Sequence, residues 1–257
     1  MDTKSVEVYV VNLDGSDKRF ADTQEQLDNA GLAFTRISAV DGRGKALTDF
    51  SDYDDAEAKK RMGRSLISSE IGCYLSHIRC LERFLQTTSD YLIVFEDDIE
   101  LAADARSTIN QVMEYLEDNQ HLDWYVINIS ARKKKLYRPL STFNNHTLNK
   151  AFYFPILCLG MIWSRRGAEE FLKRHLPITM PIDNTLQSWL SKNGKGLSIY
   201  PPLAVSRGVE SEIDGVAVTQ GKKRNSKSDR HVLYTFRKQR RLLQDKTNAL
   251  KNMVTGR

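Results

Sequence analysis

The sequence of 257 residues has no long hydrophobic run and no low-complexity tract. No uninterrupted apolar stretch approaches the roughly 20 residues that a transmembrane helix needs. The opening residues, MDTKSVEVYV, lack the apolar core of a secretory signal peptide. We therefore expect a cytoplasmic protein whose length allows one large α/β domain with a buried core.

Cysteine is scarce, and recognition elements for nucleic acid are missing. The chain has three cysteines, Cys73, Cys80 and Cys158, all in apolar contexts. An odd number in such contexts argues against a disulfide framework and fits a reducing compartment. Zinc-finger spacing, an aromatic stacking platform and any familiar nucleic-acid module are all absent, so we expect no nucleic-acid partner.

The net charge of +5 conceals an uneven distribution of basic residues. Residues 221–257 carry 12 Lys and Arg against 2 Asp, whereas residues 1–220 carry 26 basic and 31 acidic residues. This pattern is typical of a basic amphipathic helix on an anionic membrane surface, and a solvated helix packed back on the body is an equal alternative. The apolar residues at helical spacing in the basic segment are Val232, Phe236, Leu243 and Leu250.

Apolar β-branched runs alternate with helical patterns, which predicts an α/β fold with a mostly parallel central sheet flanked by helices. The first unit is a strand at 6–13, a helix that ends near Gly31 and a strand at 32–40. Later strands are predicted at 91–96, 124–129, 151–164 and 197–200, and later helices at 68–85, 104–119, 166–175 and 184–192.

Two polar segments show no helical or strand-like spacing of apolar residues, and we predict loops for both. Residues 45–63 are expected to cover one edge of the sheet. Residues 131–150 are basic and then polar, and a long loop in a sheet enzyme is a candidate wall of the substrate site.

The most informative segment is the apolar run from Tyr91 that ends in Glu96, Asp97 and Asp98. Open α/β sheets bind ligands beyond the carboxyl ends of their strands, where these three carboxylates would lie. Because crowded carboxylates repel one another, a cation is expected there, and hard oxygen ligands suit Mg²⁺ or Mn²⁺. Alternation along the strand favours Glu96 and Asp98 as the metal ligands. A solvated acidic turn is the alternative.

Polar residues after the first strand could contact a nucleotide. Asn12 and Leu13 close the strand, and Arg19 lies in the first turn of the next helix, where it could meet phosphate. Ordinary turn chemistry explains the same residues equally simply.

The helix at 68–85 carries Cys73, His77 and Cys80 on one face, a spacing that could supply three zinc ligands. Its other sides are apolar as well, so a core histidine between core cysteines is the favoured interpretation. Ser76 and His77 could still make polar contacts to a substrate.

Asp183 directly follows Pro181 and Ile182 and precedes a predicted helix. The carboxylate could cap that helix. Alternatively, it could act as a general base on an acceptor hydroxyl. A base needs to sit apart from the metal, and Asp183 is remote in sequence from the acidic triplet.

Taken together, these segments resemble the bacterial lipooligosaccharide glycosyltransferases of glycosyltransferase family 25, which are related to the collagen galactosyltransferases. The resemblance runs from Val8 to about Pro202. The segments that carry it, in order, are VNLDGSDKR, FTRISAVDG, EIGCYLSH, VFEDDIEL, GMIWSRRGAEEFL, PIDNTL and YPPLA.

The resemblance implies a GT-A-like, Rossmann-like domain over residues 1–220, followed by the basic helical tail at 221–257. It implies a UDP-sugar donor, usually UDP-galactose, a Mn²⁺ or Mg²⁺ ion and inversion at the anomeric carbon. It also implies metal ligands at Glu96 and Asp98, a base at Asp183, and nucleotide-sugar contacts at Asn12, Leu13, Arg19, Asp41, Glu70, Ser76, His77 and Asp97.

The leading hypothesis is an inverting, metal-dependent glycosyltransferase that moves a hexose, with galactose preferred, onto a sugar of lipooligosaccharide, lipopolysaccharide or a related glycan. The acceptor would sit on a lipid carrier, and the tail would contact the inner face of the cytoplasmic membrane. One alternative is a metal-dependent phosphatase, which would want Asp where Glu96 stands. Another is a catalytically silent nucleotide-sugar-binding homologue, because only His231 follows His175 and could supply the late histidine common in GT-A metal shells.

Overall fold

The computed structural model describes residues 5–208 and 233–256. The helices in these ranges are α1 (Asp17–Asn29), α2 (Asp55–Met62), α3 (Ser68–Leu85), α4 (Ala105–Asp118), α5 (Arg165–Leu172), α6 (Ile182–Asn193) and α7 (Tyr234–Thr255), with a short 3-10 helix at Leu47–Asp49. The strands are β1 (Val6–Asn12), β2 (Thr35–Ser38), β3 (Tyr91–Glu96), β4 (Ile99–Leu101), β5 (Val126–Asn128), β6 (Tyr137–Phe143), β7 (His146–Ala151), β8 (Gly160–Ser164), β9 (Gly196–Tyr200) and β10 (Ala204–Ser206).

Eight of these strands form one sheet in the order β2-β1-β3-β8-β5-β9-β7-β6. The pairs β2-β1, β1-β3 and β5-β9 are parallel, and the other four neighbouring pairs are antiparallel. The α/β fold class is confirmed, but the sheet is mixed rather than mostly parallel. Strand direction was not visible in the sequence, because β8 is apolar and buried on both faces, as a parallel strand would be.

Helices cover both faces of the sheet, so the core consists of two apolar layers. One layer lies on the side of α3, α5 and α6 and contains Phe84, Trp163 and Phe171. The other lies on the side of α4 and contains Phe95 and Val112. Alternate residues of β3 enter the two layers, so the strand that leads to the acidic triplet is held rigidly from both sides.

Both segments predicted as loops contain regular structure. Residues 45–63 include the short 3-10 helix and α2, which is capped by the Asp54 side chain and ends at Gly63 with φ 76°. Residues 131–150 contain most of the β6-β7 hairpin. Both predictions were wrong because most of α2 and β6 faces solvent, while the buried strand β7 includes the polar residues His146, Asn149 and Lys150, so neither segment shows a regular apolar repeat. The predicted wall of the substrate site is therefore an edge hairpin.

The carboxyl ends of β1, β2 and β3 meet at one edge of the sheet. Asn12 pairs in register with Ser38, and Val11 pairs with Glu96. The loop after β2 crosses this edge against α3 at two glycines. A Cβ on Gly42 would overlap the carbonyl of Ser68, and a Cβ on Gly72 would lie 2.5 Å from the Val40 carbonyl oxygen. Only glycine permits so close a backbone approach.

A second, two-stranded sheet pairs β4 with β10 antiparallel, directly after the acidic triplet. β4 follows Asp98 at once, whereas β10 comes from the far end of the main domain. Neither short strand was predicted. Their pairing brings Ser206 back beside the acidic triplet.

Helix α7 lies in the segment expected as a basic tail and packs on α6 and α2. The Asn252 amide donates to the backbone oxygens of Ser191 and Lys192 at 2.9 and 3.3 Å. Ser188 donates to Asp245 at 2.9 Å. The expected boundary at 220/221, Val232 and His231 lie outside the described residues. None of the helices that the structure describes combines the length and apolar character needed to span a bilayer.

We predict that Asn252→Ala lowers the free energy of unfolding by about 1–3 kcal/mol, because it leaves the carbonyl groups that end α6 buried without a donor. Denaturant unfolding followed by circular dichroism would measure the change. Lys251→Ala, an exposed neighbour on the same helix, is the control and should change stability by about 0.5 kcal/mol or less. Equal effects in the two variants would show that α7 is not docked through Asn252.

Candidate functional site

An open cleft with an empty volume of about 700 Å³ lies at the edge where β1, β2 and β3 end. Its walls are the end of β1, the first turn of α1, the loop after β2, one face of α3 and the acidic triplet. The lining residues include Leu13, Arg19, Asp41, Arg43, Cys73, Ser76, His77, Glu96, Asp97 and Asp98.

Asp97 is fixed by two partners and is not free to move. Its Oδ1 atom lies 2.6 Å from Nη2 of Arg19. Its Oδ2 atom accepts a hydrogen bond of 2.6 Å from the amide of Asn12. Asn12 is held in turn by Arg36, which donates to its Oδ1 atom at 2.8 Å. Asn12 therefore lies behind the cleft and orients Asp97 rather than lining the cavity.

The two carboxylate oxygens of Asp98 differ in their hydrogen bonding. Oδ2 accepts from the Ser206 hydroxyl at 3.3 Å and lies 3.8 Å from Nη2 of Arg19. Oδ1 is buried and has no hydrogen-bond partner within residues 5–208 and 233–256. Burial raises the pKa of the Asp98 carboxyl, and the charge of Glu96 adds to that rise, while Arg19 opposes it.

Glu96 points to the opposite wall, toward α3. Its Oε1 atom lies 3.9 Å from the Cys73 thiol, which donates to it, and 3.6 Å from Nε2 of His77. Glu96 and Asp98 thus present carboxylate oxygens to one cleft, with Asp97 pinned between them. The unpartnered Asp98 oxygen and the hard carboxylate donors fit a divalent cation such as Mn²⁺ or Mg²⁺.

The loop after β2 is fixed to α3 by Ser76. The hydroxyl accepts a hydrogen bond of 2.8 Å from the Val40 backbone and donates one of 2.7 Å to the carbonyl oxygen of Gly72. Further along the loop, Arg43 makes a bidentate contact to Asp41, with a shortest distance of 2.8 Å. The hydrogen bonds from Arg43 lower the pKa of Asp41, so this carboxylate stays ionised at the cleft mouth.

Besides Asn12, two further residues predicted for the site, Glu70 and Asp183, do not line the cleft. Glu70 is buried and bonded by two guanidinium nitrogens of Arg64 at 2.7 and 2.8 Å. Asp183 lies in the first turn of α6. Its side chain is not among those that line the cleft.

The chain belongs to glycosyltransferase family 25. The family, described as an LPS biosynthesis protein, matches residues 5–186. This match covers every element that lines the cleft. It confirms the resemblance from which the GT-A-like fold was predicted.

Relatives of this family 25 chain carry matching sequence within longer proteins. Procollagen galactosyltransferase 1 of Danio rerio is 27% identical over 200 residues, which cover 73% of this chain and 32% of that protein. A glycosyltransferase 25 family member of Anopheles gambiae is 27% identical over 187 residues, or 70% of this chain and 31% of that one. The chain thus matches about a third of the length of each.

Among solved structures, the fold is similar to that of a glycosyltransferase involved in glycosylation of the major capsid of PBCV-1. The TM-score is 0.42 at 9% identity, and the overlap covers 84% of this chain and 99% of that one.

Two cleft residues of this family 25 chain were not identified from the sequence. Arg43 lines the cleft one residue beyond the FTRISAVDG segment, and its position beside Asp41 was the available signal. Ser206 contacts Asp98 from 108 residues away. No local pattern marks Ser206, because the pairing of β4 with β10 brings it there.

We predict that Glu70→Ala lowers the free energy of unfolding by about 3–5 kcal/mol, because it strands the guanidinium of Arg64, whose side chain is only 15% exposed. Glu57→Ala is the control, since Glu57 pairs with Arg61 at the surface and should contribute about 1 kcal/mol or less. Chemical denaturation would compare the variants. A stable Glu70→Ala protein that had lost nucleotide affinity would instead support a ligand contact at Glu70.

Proposed function

We propose that this chain is an inverting, metal-dependent glycosyltransferase that transfers a hexose from a UDP-sugar to a sugar of lipooligosaccharide, lipopolysaccharide or a related glycan. Family membership supports group transfer from a nucleotide sugar. The observation that carries the proposal is the cleft at the carboxyl edge of β3, where Glu96 and Asp98 face one cavity and Oδ1 of Asp98 lacks a partner among the described residues.

Glu96 and Asp98 would hold the divalent ion, and the geometry of Asp97 supports this division of roles. Asp97 already has two short contacts, to Arg19 and Asn12, so its oxygens are engaged. When bound, a Mn²⁺ or Mg²⁺ ion would supply Lewis-acid stabilisation to the departing diphosphate. The protein's own contribution would be to hold two carboxylates in one cleft, at and just beyond the end of a strand packed on both faces.

Two arginines line the cleft and would assist in binding the donor phosphates. Arg19 is oriented by Asp97, and Arg43 is oriented by Asp41. A guanidinium held in place by a carboxylate loses less conformational entropy when it binds phosphate than a free one does. Leu13, at the end of β1, would give the base or ribose an apolar contact, while Asn12, Ser76 and His77 would support the pocket.

Inversion requires the acceptor hydroxyl to attack from the side opposite the leaving diphosphate, so the base must lie apart from the metal. Asp183 is our candidate for this base. Its backbone position is fixed at the start of α6, and its Oδ1 atom accepts a hydrogen bond of 2.7 Å from the Asn184 backbone.

Galactose is the preferred sugar because two lines agree on it. The family resemblance implies UDP-galactose, and Procollagen galactosyltransferase 1, a relative, carries the name of a galactosyltransferase. Orientation of a single hydroxyl distinguishes galactose from glucose, and one buried hydrogen bond can give large discrimination.

We predict that Asp98→Asn reduces sugar transfer by about 100-fold or more, because the amide keeps the shape of the side chain but removes its charge. A panel of UDP-hexoses, each assayed with Mn²⁺, Mg²⁺ or chelator, would measure release of UDP and formation of new glycoside. UDP-galactose with Mn²⁺ or Mg²⁺ should give the highest rate.

Asp123→Asn is the matched control, because Asp123 pairs with Lys195 and Arg166 on the surface, away from the cleft. It should retain transfer. Undiminished transfer by Asp98→Asn, or by the wild type in chelator, would contradict the metal assignment. Release of phosphate from esters without a sugar donor would favour the phosphatase, and UDP binding without turnover would favour the silent homologue.

We further propose that α7 holds the enzyme on an anionic membrane surface. Its inward face carries Asp245, Ala249 and Asn252, which are buried against the body. On the opposite side, residues seven apart form an exposed apolar stripe. The stripe consists of Phe236 and Leu243, each 66% exposed, Leu250 at 49% and Val254 at 87%.

Basic side chains flank this stripe and give it charge complementarity with anionic lipid. Helical spacing places Arg240 and Lys251 on one side of it and Lys246 on the other. Each basic residue near an anionic leaflet contributes about 1 kcal/mol, and apolar side chains add insertion energy. We therefore assign packing on the body to one face of α7 and contact with a membrane to the opposite face.

We predict that the double variant Leu243→Gln, Leu250→Gln binds vesicles of phosphatidylcholine and phosphatidylglycerol about tenfold more weakly than the wild type, because it removes two apolar contacts. Co-sedimentation would measure the bound fraction. The control is Leu176→Gln, an exposed apolar residue outside α7. Equal binding to purely zwitterionic vesicles, or no loss in the double variant, would contradict the assignment.

A further inference from the structure

Three side chains of different chemistry meet on the α3 side of the cleft. The sulfur of Cys73 and Nε2 of His77 lie 3.9 and 3.6 Å from the same oxygen of Glu96. All three ligand atoms lie within 4.8 Å of one another. In a tetrahedral zinc site, with bonds of about 2.0–2.3 Å, ligand atoms are roughly 3.3–3.8 Å apart. The group therefore needs to contract by at most about 1.5 Å to enclose an ion.

His77 provides an independent indication that something binds here. Its side chain is 1% exposed, and within the part of the chain that the structure describes neither ring nitrogen has a hydrogen-bond partner. Buried polar side-chain atoms in native proteins nearly always have one. The ring lines the cleft beside Glu96, so a ligand placed between them would satisfy the imidazole.

Helical spacing alone suggested Cys73, His77 and Cys80 as zinc ligands, and the structure does not bring Cys80 into this group. Cys80 is fully buried in the apolar layer, and burial raises the pKa of its thiol to about 12. Glu96, from the neighbouring strand, takes the third place instead. His77 is buried, as a core histidine would be, but the core supplies no hydrogen-bond partner for its ring among the described residues.

We propose that Cys73, His77 and Glu96 form a second divalent-cation site in the cleft, one that takes Zn²⁺ in preference to Mg²⁺ or Mn²⁺. A thiolate, an imidazole and a single carboxylate are ligands typical of zinc, whereas magnesium and manganese prefer oxygen. On binding, the Cys73 thiol releases its proton to solvent as the metal–sulfur bond forms, and the ion gives up bound water. The fourth position faces the open cleft.

Glu96 belongs both to this site and to the proposed donor site, so occupation of one site competes with the other. Zn²⁺ bound to Glu96 would remove one of the two carboxylates that hold the Mn²⁺ or Mg²⁺ ion. Zinc would therefore inhibit transfer in competition with the harder ion. This competition rests on the proposed function, whereas the zinc site itself does not.

The test is metal binding to the full chain without any nucleotide. Isothermal titration with Zn²⁺ should give one tight site per chain, and Co²⁺ should give the near-ultraviolet charge-transfer band of a thiolate–cobalt bond. Cys73→Ser should abolish the band and weaken Zn²⁺ binding by about 100-fold or more. His77→Asn should weaken Zn²⁺ binding similarly, with folding of both variants checked by thermal melting.

Cys80→Ala, two turns further along α3, is the matched control and should retain the cobalt band and the zinc affinity. Asp98→Asn separates the two sites, because it should lose sugar transfer yet keep the band. Absence of the band in the wild type, or unchanged zinc affinity in Cys73→Ser, would overturn the zinc site. Either result would leave the transfer assay free to support or refute the glycosyltransferase.

Discussion

Negative charge at the carboxyl end of β3, only partly offset by the residues that the structure describes, is the constraint on which the site depends. Three consecutive carboxylates occur there, and Arg19 is the cation placed among them, 2.6 Å from Asp97 and 3.8 Å from Asp98. One guanidinium offsets about one charge, which leaves Glu96 and Asp98 with a net demand for a cation in a partly desolvated cleft. The fold tolerates this arrangement because β3 is held by apolar layers on both faces, so stability comes from elsewhere.

The surrounding architecture keeps these charges apart by fixing each one to a different element. Asp97 is bound to β1 and α1 through Asn12 and Arg19, Glu96 faces α3, and Asp98 is reached by Ser206 of β10. The loop after β2 is tied down by Ser76 and by the glycine contacts at Gly42 and Gly72. Selectivity at the proposed cation and phosphate sites would therefore depend on backbone packing as much as on the residues that touch a ligand.

The sequence predicted the β1-α1-β2 unit, α3, β3 and the acidic triplet, because each has a strong local period or an abrupt change from apolar to charged residues. It failed for the β6-β7 hairpin, because β6 is a polar edge strand and β7 buries polar side chains such as Asn149 and Lys150, and it failed for the direction of β8. It also could not place Glu70 or Ser206. Glu70 lies in a segment that resembles the family, yet its carboxylate is bound by Arg64, only six residues away. Ser206 reaches Asp98 only through the pairing of β4 with β10.

The two interpretations that the basic tail allowed from sequence are compatible in the folded chain. A helix has room for two functional faces, and α7 buries Asp245 and Asn252 against α6 while Phe236 and Leu243 point outward. An apolar residue that packed on the body would be covered, so their 66% exposure means that intramolecular packing does not account for them. Because α7 rests on α6, whose first turn carries Asp183, a surface bound by the outer face of α7 would be held at a fixed distance from the proposed base.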